Sequence, residues 1–251
     1  MELPVFNRRN LEAFAKLNPS RGLRVEARAA ADGAAEIFLY DAIGDWGVSA
    51  ADFAVALSAL KGQAVRIRIN SPGGDAFAGM AMYELIRQHD GEVEARVDAL
   101  AASAASYLML GASRVTLAEN ATVMIHKAWG MTIGNADEMR ATAAILDRLD
   151  GQQAQIFSSE TGKSIDEIMA ALAAETWFTA QEAVDFGIAD AIVEPSKAKA
   201  ALPEGMFAKA PAILVASSIS EPASPTIEDT SARDRAIAMR RRLNLARIRA
   251  V

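Results

Sequence analysis

The stretch Ala64–His89, AVRIRINSPGGDAFAGMAMYELIRQH, decides the fold of this chain. AVRIRI alternates apolar and charged residues, which predicts a strand with one buried face. A Ser-Pro-Gly-Gly turn follows, and the residues from Ala76 to His89 predict a helix that ends at Gly91. Because proline holds φ near its own value and glycine reaches positive φ, such a turn can present backbone N–H groups outward. The pattern predicts either a plain strand-to-helix connection or a backbone binding site.

The composition indicates a soluble chain with a large core and restricts its chemistry. No apolar stretch reaches the ~20 residues that a spanning helix needs, and the N-terminus MELPVFNRRNLEAFAKL lacks the apolar region of a signal peptide. We therefore expect a cytoplasmic protein. The absence of cysteine excludes disulfides, a thiol nucleophile and thiolate metal sites. With only His89 and His126, an enzyme of this composition is expected to use a hydroxyl nucleophile, a histidine base and no metal.

Charge is distributed unevenly along the chain. Residues 196–251 hold ten Lys/Arg and five Asp/Glu, a net charge of +5. Since the whole chain carries −6, residues 1–195 carry −11. An acidic body of this kind argues against binding to nucleic acid.

Strands and helices alternate from about Glu36 to Glu194, which predicts an α/β domain with a largely parallel sheet. Ser49 and Ser164 have the positions of helix N-caps, and Glu167 completes a capping box with Ser164. The predicted strands are EIFLY, AVRIRI, EVEARVD, RVTLAE, TVMIH and IADAIVE. The predicted helices are SAADFAVALSAL, AFAGMAMYELIRQH, AASAASYLMLGA, a long one over about 135–159, SIDEIMAALAAE and TAQEAVDFG.

The chain is predicted to have four segments. An N-terminal segment over 1–33 precedes the α/β domain of 34–194. Residues 195–230 hold five of the eight prolines among Ala, Ser and Lys, which predicts a disordered linker. The last segment, 231–251, is predicted to be a basic helix with an apolar side, suited to docking on an acidic partner.

Two serines and two histidines are candidates for a nucleophile and a base. Ser103 and Ser106 both lie near the start of the helix AASAASYLMLGA, and Ser103 is nearer to the strand-to-helix junction. The N-terminus of a helix favours developing negative charge, although small residues there also suit a closely packed helix. His89 lies in the last turn of a helix, where it needs no catalytic explanation, so a base would be His126.

A serine–histidine pair also needs a group that orients the imidazole and donors for an oxyanion. Spacing alone does not choose the orienting carboxylate among five that follow His126: Asp147, Asp150, Glu160, Asp166 and Glu175. The Gly-Gly turn is a good source of free backbone N–H groups, and a side chain at Gly74 is expected to intrude where a substrate carbonyl would come.

Four segments together resemble the Clp-type (ClpP) serine peptidases, and in particular the phage and prophage branch that acts as head maturation proteases. The resemblance covers about residues 34–194 and lies in INSPGGDAFAGMAMYELI, ALAASAASYLMLGA, VMIHKAWG and ETWFTAQEAVDFGIADAI. It implies a ClpP/crotonase-like spiral of ββα units, assembly into homo-oligomeric rings that are often stacked, and no cofactor. The helix over 135–159 matches the region that mediates contact between rings in this family.

The resemblance assigns roles to five residues. The nucleophile falls on Ser103, with Ala99 in place of the usual leading glycine, and the base falls on His126. The oxyanion donors fall on the backbone N–H groups of Gly74 and Ala104. The acid, usually aspartate, falls on Glu175, one methylene longer.

The resemblance implies a serine endopeptidase that cleaves capsid or scaffold protein during phage head assembly. Lys127-Ala128 replaces the Gln-Pro that commonly follows the histidine in housekeeping members, and those members lack the basic tail. The alternatives are a housekeeping proteolytic subunit fed by an AAA+ unfoldase, a crotonase relative that processes acyl-CoA, and a catalytically idle ring-forming assembly protein. No nucleic acid or membrane is expected as a partner.

Overall fold

The structure is a computed structural model that describes residues 24–26, 33–45 and 47–193. Its eight-stranded sheet has the order β1-β2-β3-β4-β5-β8, and β6 pairs with β4 and β7. All pairings are parallel except β1 with β2 and β6 with β7. The fold is therefore mixed α/β with a largely parallel sheet, as predicted. The strands are β1 Arg24–Glu26, β2 Ala35–Leu39, β3 Val65–Ser71, β4 Val93–Ala102, β5 Arg114–Ala118, β6 Thr122–Ile125, β7 Thr176–Thr179 and β8 Ala191–Val193.

Six α-helices and one 3₁₀ turn, Met109–Gly111, accompany these strands in the described ranges. The predicted caps are confirmed: Ser49 accepts from the N–H of Asp52, and Ser164 and Glu167 form a capping box. The helices are α1 Ala50–Ala59, α2 Ala76–Arg87, α3 Ala104–Leu108, α4 Ala136–Thr161, α5 Ile165–Ala173 and α6 Ala180–Phe186.

The two faces of the sheet differ in chemistry because its central strands alternate with a period of two. Buried residues of β2, β3 and β4 face the core, among them Ile37, Ile67 and Val97, each with no exposed surface. Most of the intervening residues are charged and half-buried, and Arg68 pairs with Asp98 at 2.6 Å. Burial of the apolar face, at roughly 25 cal/mol per Å² removed from water, stabilises the central βα units.

The fourth strand is longer than predicted, and this places the candidate site. A helix was expected over AASAASYLMLGA, but β4 continues to Ala102, and α3 begins only at Ala104. Residues 100–102 of β4 pair with β6. The register between β3 and β4 changes between the pair Ile69–Val97 and the pair Ser71–Ala101. These tertiary pairings override the helical preference of alanine. The carboxyl end of β4 thereby comes beside the Ser-Pro-Gly-Gly turn.

Three of the predicted segments lie largely outside the described residues. Of the segment 1–33 only 24–26 and 33 are described, and the predicted linker 195–230 and basic helix 231–251 lie wholly outside. Within the described ranges, no helix combines the length and apolarity that crossing a membrane requires.

Candidate active site

Ser103 and His126 are brought together although 23 residues separate them: the Oγ of Ser103 lies 2.9 Å from Nε2 of His126. Ser103 follows the last residue of β4 and precedes α3, and its φ of 53° and ψ of −123° are sparsely populated for a residue with a side chain. His126 follows the last residue of β6. A hydroxyl within hydrogen-bond distance of an imidazole is the arrangement that activates a nucleophile.

Pairing between β4 and β6 sets this distance. Ala102 is opposite Met124 in the parallel register, and the N–H of Ser103 donates to the carbonyl of Met124 at 2.9 Å. Each side chain thus projects from the first residue after a strand, at the carboxyl ends of two neighbouring parallel strands. This edge of an open α/β sheet is where ligands bind as a rule.

The other serine and the other histidine have structural contacts instead. Ser106 is buried, and its Oγ donates to the carbonyl of Ser103 at 2.6 Å. His89 is also buried, with Nε2 at 2.9 Å from the carbonyl oxygen of Gln63. The structure therefore brings Ser103 and His126 together and leaves Ser106 and His89 out of the site.

The Ser-Pro-Gly-Gly turn is held in place by its own serine. The buried Ser71 hydroxyl donates to the carbonyl of Asp41 at 2.7 Å and accepts the N–H of Gly73 at 3.1 Å. The N–H of Ile43 donates to the carbonyl of Gly73 at 2.9 Å. Neither Gly74 nor Ala104 donates its N–H to another group in the described part of the chain. These two N–H groups are therefore the candidate oxyanion donors of the site.

Gly73, which the sequence analysis missed, lies directly against the serine. A Cβ at Gly73 would lie 2.7 Å from the Cβ of Ser103 and 2.8 Å from the nitrogen of Ala104. Its φ of 84° is also a conformation that favours glycine. The only signal in the sequence was the pair of glycines in the turn. The sequence analysis assigned a role to the second glycine, Gly74, and none to the first.

The structure gives a packing reason for a glycine at position 74. A Cβ there would lie 2.1 Å from the carbonyl oxygen of Ile43. Glycine is needed because the turn approaches the Ile43 backbone closely, and the N–H of Asp75 donates to that same carbonyl at 2.9 Å. The constraint is packing of the turn against residues 41–43.

Two of the five candidate carboxylates act electrostatically on His126. Glu160 is buried and accepts from the hydroxyl of Tyr83 at 3.3 Å, while Asp147 and Asp166 are exposed. Burial of the imidazole lowers the pKa of His126 below its ordinary value of 6.5, and Glu175 and then Asp150 act to raise this pKa. Burial prevails, so the imidazole is neutral at neutral pH.

Glu175 lies in the turn between α5 and β7, in a left-handed conformation with φ of 49°. The last pair of the antiparallel β6–β7 register joins Ile125 to Thr176, and His126 and Glu175 are the residues next to this pair in the chain. The indole N–H of Trp177 donates to Oε1 of Glu175 at 3.2 Å. Within the described ranges, no carboxylate forms a hydrogen bond with the His126 ring. Glu175 therefore acts on the imidazole through its charge, and Trp177 holds its carboxylate.

Among the described residues, no three His, Asp or Glu side chains cluster as metal ligands. The chemistry available to the site is that of a hydroxyl, an imidazole, nearby carboxylates and backbone amides. These features define a class of protein: a mixed α/β fold in which a serine–histidine pair lies at the carboxyl ends of parallel strands beside two free N–H groups.

Comparison with known proteins identifies the family. A model of the Clp protease family matches residues 26–196, more than half of the chain. The chain belongs to the Clp protease family.

Individual relatives are bacterial Clp subunits. The chain is 33% identical over 132 residues to ATP-dependent Clp protease proteolytic subunit 1 of Leifsonia xyli subsp. xyli, covering 52% of this chain and 67% of that protein. It is 31% identical over 134 residues to the ATP-dependent Clp protease proteolytic subunit of Bacteroides fragilis, covering 53% and 65%. It is 34% identical over 128 residues to proteolytic subunit 3 of Rhodococcus jostii, covering 50% and 63%.

Proposed function

We propose that this protein is a serine endopeptidase in which Ser103 is the nucleophile and His126 the general base. The observation that carries the proposal is the 2.9 Å contact between Ser103 Oγ and His126 Nε2, made by a serine in a strained backbone conformation at the start of a helix. Strain of this kind persists where the surrounding structure maintains it for a function.

The geometry supports acyl transfer in two halves. His126 Nε2 takes the proton of Ser103 as the oxygen attacks the carbonyl carbon of the scissile bond, and the resulting oxyanion accepts hydrogen bonds from the N–H groups of Gly74 and Ala104. The imidazolium then gives its proton to the leaving amine. Water, deprotonated by the same imidazole, hydrolyses the acyl ester and regenerates the hydroxyl of Ser103.

Glu175 is proposed as the acid of this triad. Of the two carboxylates that favour a protonated His126, Glu175 has the larger effect, and both His126 and Glu175 are adjacent in the chain to the last residue pair of the β6–β7 register. An imidazolium forms in each half-reaction, so a facing carboxylate stabilises both transition states. Because Trp177 holds one oxygen of the longer glutamate, the carboxylate keeps a defined position.

For the biological role, we propose cleavage of a capsid or scaffold protein during phage head assembly, by a homo-oligomeric ring. This rests on two departures from housekeeping members, namely Lys127-Ala128 after the histidine and the net charge of +5 over residues 196–251. A housekeeping role with an AAA+ unfoldase is a second candidate, favoured by the names of the relatives from Leifsonia xyli and Bacteroides fragilis.

A fluorophosphonate probe tests the enzymatic proposal. We expect labelling of the native wild-type protein at Ser103, located by mass spectrometry of the labelled peptide, and no labelling of Ser103→Ala. Ser106→Ala serves as the matched control, since its hydroxyl is buried and bound to a carbonyl. A folded wild-type protein that does not react would favour the idle assembly protein instead.

Truncation after Glu194 tests the biological role. If the basic tail docks on an acidic capsid or scaffold precursor, the truncated protein should keep its activity on small peptides and lose cleavage of the co-expressed precursor. Under the unfoldase alternative, degradation of a folded substrate would depend on ATP and the unfoldase and would not require the tail.

A further inference from the structure

A buried carboxylate on α4 contacts the chain immediately after His126. Asp150 is 3% exposed, and its Oδ1 accepts the backbone N–H of Ala128 at 2.7 Å. Its Oδ2 lies 3.6 Å from Nζ of Lys127. Both oxygens of this carboxylate are thus directed to the two residues that follow the candidate base.

A carboxylate is buried at a cost of several kcal/mol unless its charge is compensated. A charge-assisted bond to a backbone N–H is shorter and stronger than a neutral one, and the 2.7 Å distance is of that kind. Because Lys127 is exposed over about half of its side chain, 47%, its ammonium contributes little to this compensation. The bond to Ala128 is therefore the main contact of Asp150.

The segment that Asp150 holds has no regular structure. β6 ends at Ile125 and α4 begins at Ala136. Besides the bond from Ala128, the N–H of Lys127 donates to the carbonyl of Leu172 at 3.1 Å. These two bonds attach the chain after His126 to α4 and α5, and α4 is itself anchored by buried residues such as Phe157. The chain beyond Ala128 is exposed from Trp129 to Arg140.

We propose that Asp150 is a positioning residue for His126, holding the two residues after the imidazole against α4 so that Nε2 stays within reach of Ser103. The contact requires a residue other than proline at position 128, because proline, which the resemblance places at this position in housekeeping members, has no N–H to donate. The contact is thus a feature of this chain's own sequence. The inference rests on the proposed function.

Asp150 also contributes charge. The groups of the described chain that act on the His126 imidazole are Glu175 from the turn before β7 and Asp150 from α4. The ammonium of Lys127 lies 3.6 Å from Oδ2 of Asp150 and opposes the charge of Asp150 in part. Removing the charge of Asp150 should therefore lower the pKa of His126, whereas removing an exposed charge elsewhere on α4 should not.

The test compares three variants of the full chain: Asp150→Ala, Asp150→Asn and the control Asp147→Asn. The rate of peptide hydrolysis is divided by the concentration of reactive Ser103, which is titrated with a fluorophosphonate. Displacement of a reacting group by about 1 Å costs up to 10²-fold in rate, so we expect Asp150→Ala to lower kcat by about 10- to 100-fold with little change in KM. Asn keeps an acceptor oxygen, so Asp150→Asn should restore most of kcat but move the acid limb of kcat/KM to lower pH. Asp147→Asn should match the wild type in both.

Several results would overturn the inference. Wild-type kcat and an unmoved acid limb in the Asp150 variants, with only a lower melting temperature, would show that Asp150 is a packing residue. An equal effect of Asp147→Asn would show that helix charge in general is responsible. If Asp150→Ala does not fold, Ala128→Pro decides, because it removes the N–H that Asp150 accepts: wild-type kcat in this variant would refute the positioning role. A wild-type protein that is not labelled would refute the proposed function instead, so the two failures are distinguishable.

Discussion

Gly73 and Ser103 are in such close contact that a single added carbon would displace one of them: a Cβ at Gly73 would lie 2.7 Å from the Cβ of Ser103. The turn that follows β3 and the serine that follows β4 are therefore packed as one unit. Because such a contact cannot relax without moving the backbone, the position of Ser103 depends on a glycine thirty residues earlier in the chain.

Gly73→Ala should abolish most activity. The added carbon would also lie 2.4 Å from the carbonyl oxygen of Ala102, so Ser103 would be displaced from His126, and we expect kcat to fall at least 100-fold. Gly62→Ala is the matched control, because Gly62 has a similar φ of 77° but open space around its α-carbon. Both variants should lose about 1 kcal/mol of stability from the positive φ. Gly73→Ala should lose more because of the clash, and only Gly73→Ala should lose activity. Equal activities would contradict this contact.

Gly74→Val should also inactivate the protein, and the structure adds a packing reason to the one expected from sequence. The side chain would collide with Ile43, lift the turn and withdraw the Gly74 N–H, and loss of one oxyanion donor costs about 10²–10³ in kcat. The measurement is kcat on a peptide substrate, with circular dichroism to verify folding. A folded variant with normal kcat would show that the turn has no part in binding the oxyanion.

His126→Ala should be nearly as damaging as Ser103→Ala, because members of a triad act as a unit. The double variant, with Ser103→Ala and His126→Ala together, should have a kcat little lower than that of either single variant. The measurement is kcat of all three proteins. His89→Ala is the control, since His89 contacts the carbonyl of Gln63 and should affect stability only. Additive losses in the double variant would argue that the serine and the histidine function separately.

Glu175→Gln and Trp177→Phe should both reduce kcat, and by different routes. Gln removes the charge that most raises the pKa of His126, so the acid limb of kcat/KM should move to lower pH as kcat falls. Phe removes the indole N–H that holds Oε1 but keeps the charge of Glu175, so kcat should fall less. No change in either variant would mean that Glu175 has no catalytic role.

The pH dependence of the wild type follows from the burial of His126. Since burial lowers the pKa of this imidazole below 6.5, half of the His126 population is still neutral at some pH below 6.5. The acid limb of kcat/KM should therefore have its midpoint below pH 6.5. The same shift affects stability: the unfolded chain binds the proton more readily, so the contribution of His126 to stability is full above pH 6.5 and is lost as the pH falls below it. A midpoint at or above 6.5 in a kcat/KM profile would refute this.

The amino-acid sequence alone determined most of the helices and strands and several of their ends. Alternation in AVRIRI, the caps Ser49 and Ser164 and the glycines of the turn act over a few residues, because strand pleats, caps and turns are local structures. For that reason they could be predicted, along with the parallel sheet that alternating elements imply. The pairing of Ser103 with His126 was chosen from residue type and resemblance, and their 2.9 Å contact was not visible in the sequence.

Only the tertiary structure decided what surrounds that pair. The continuation of β4 to Ala102 depends on pairing with β6, which overrides the helical preference of the alanines. The sequence could not choose Asp150 among the five carboxylates that follow His126, and it did not single out Gly73. The atoms that each of these two residues contacts belong to segments distant in sequence. Sheet register and helix packing are long-range properties, so the site's geometry arises only when the whole sheet has formed.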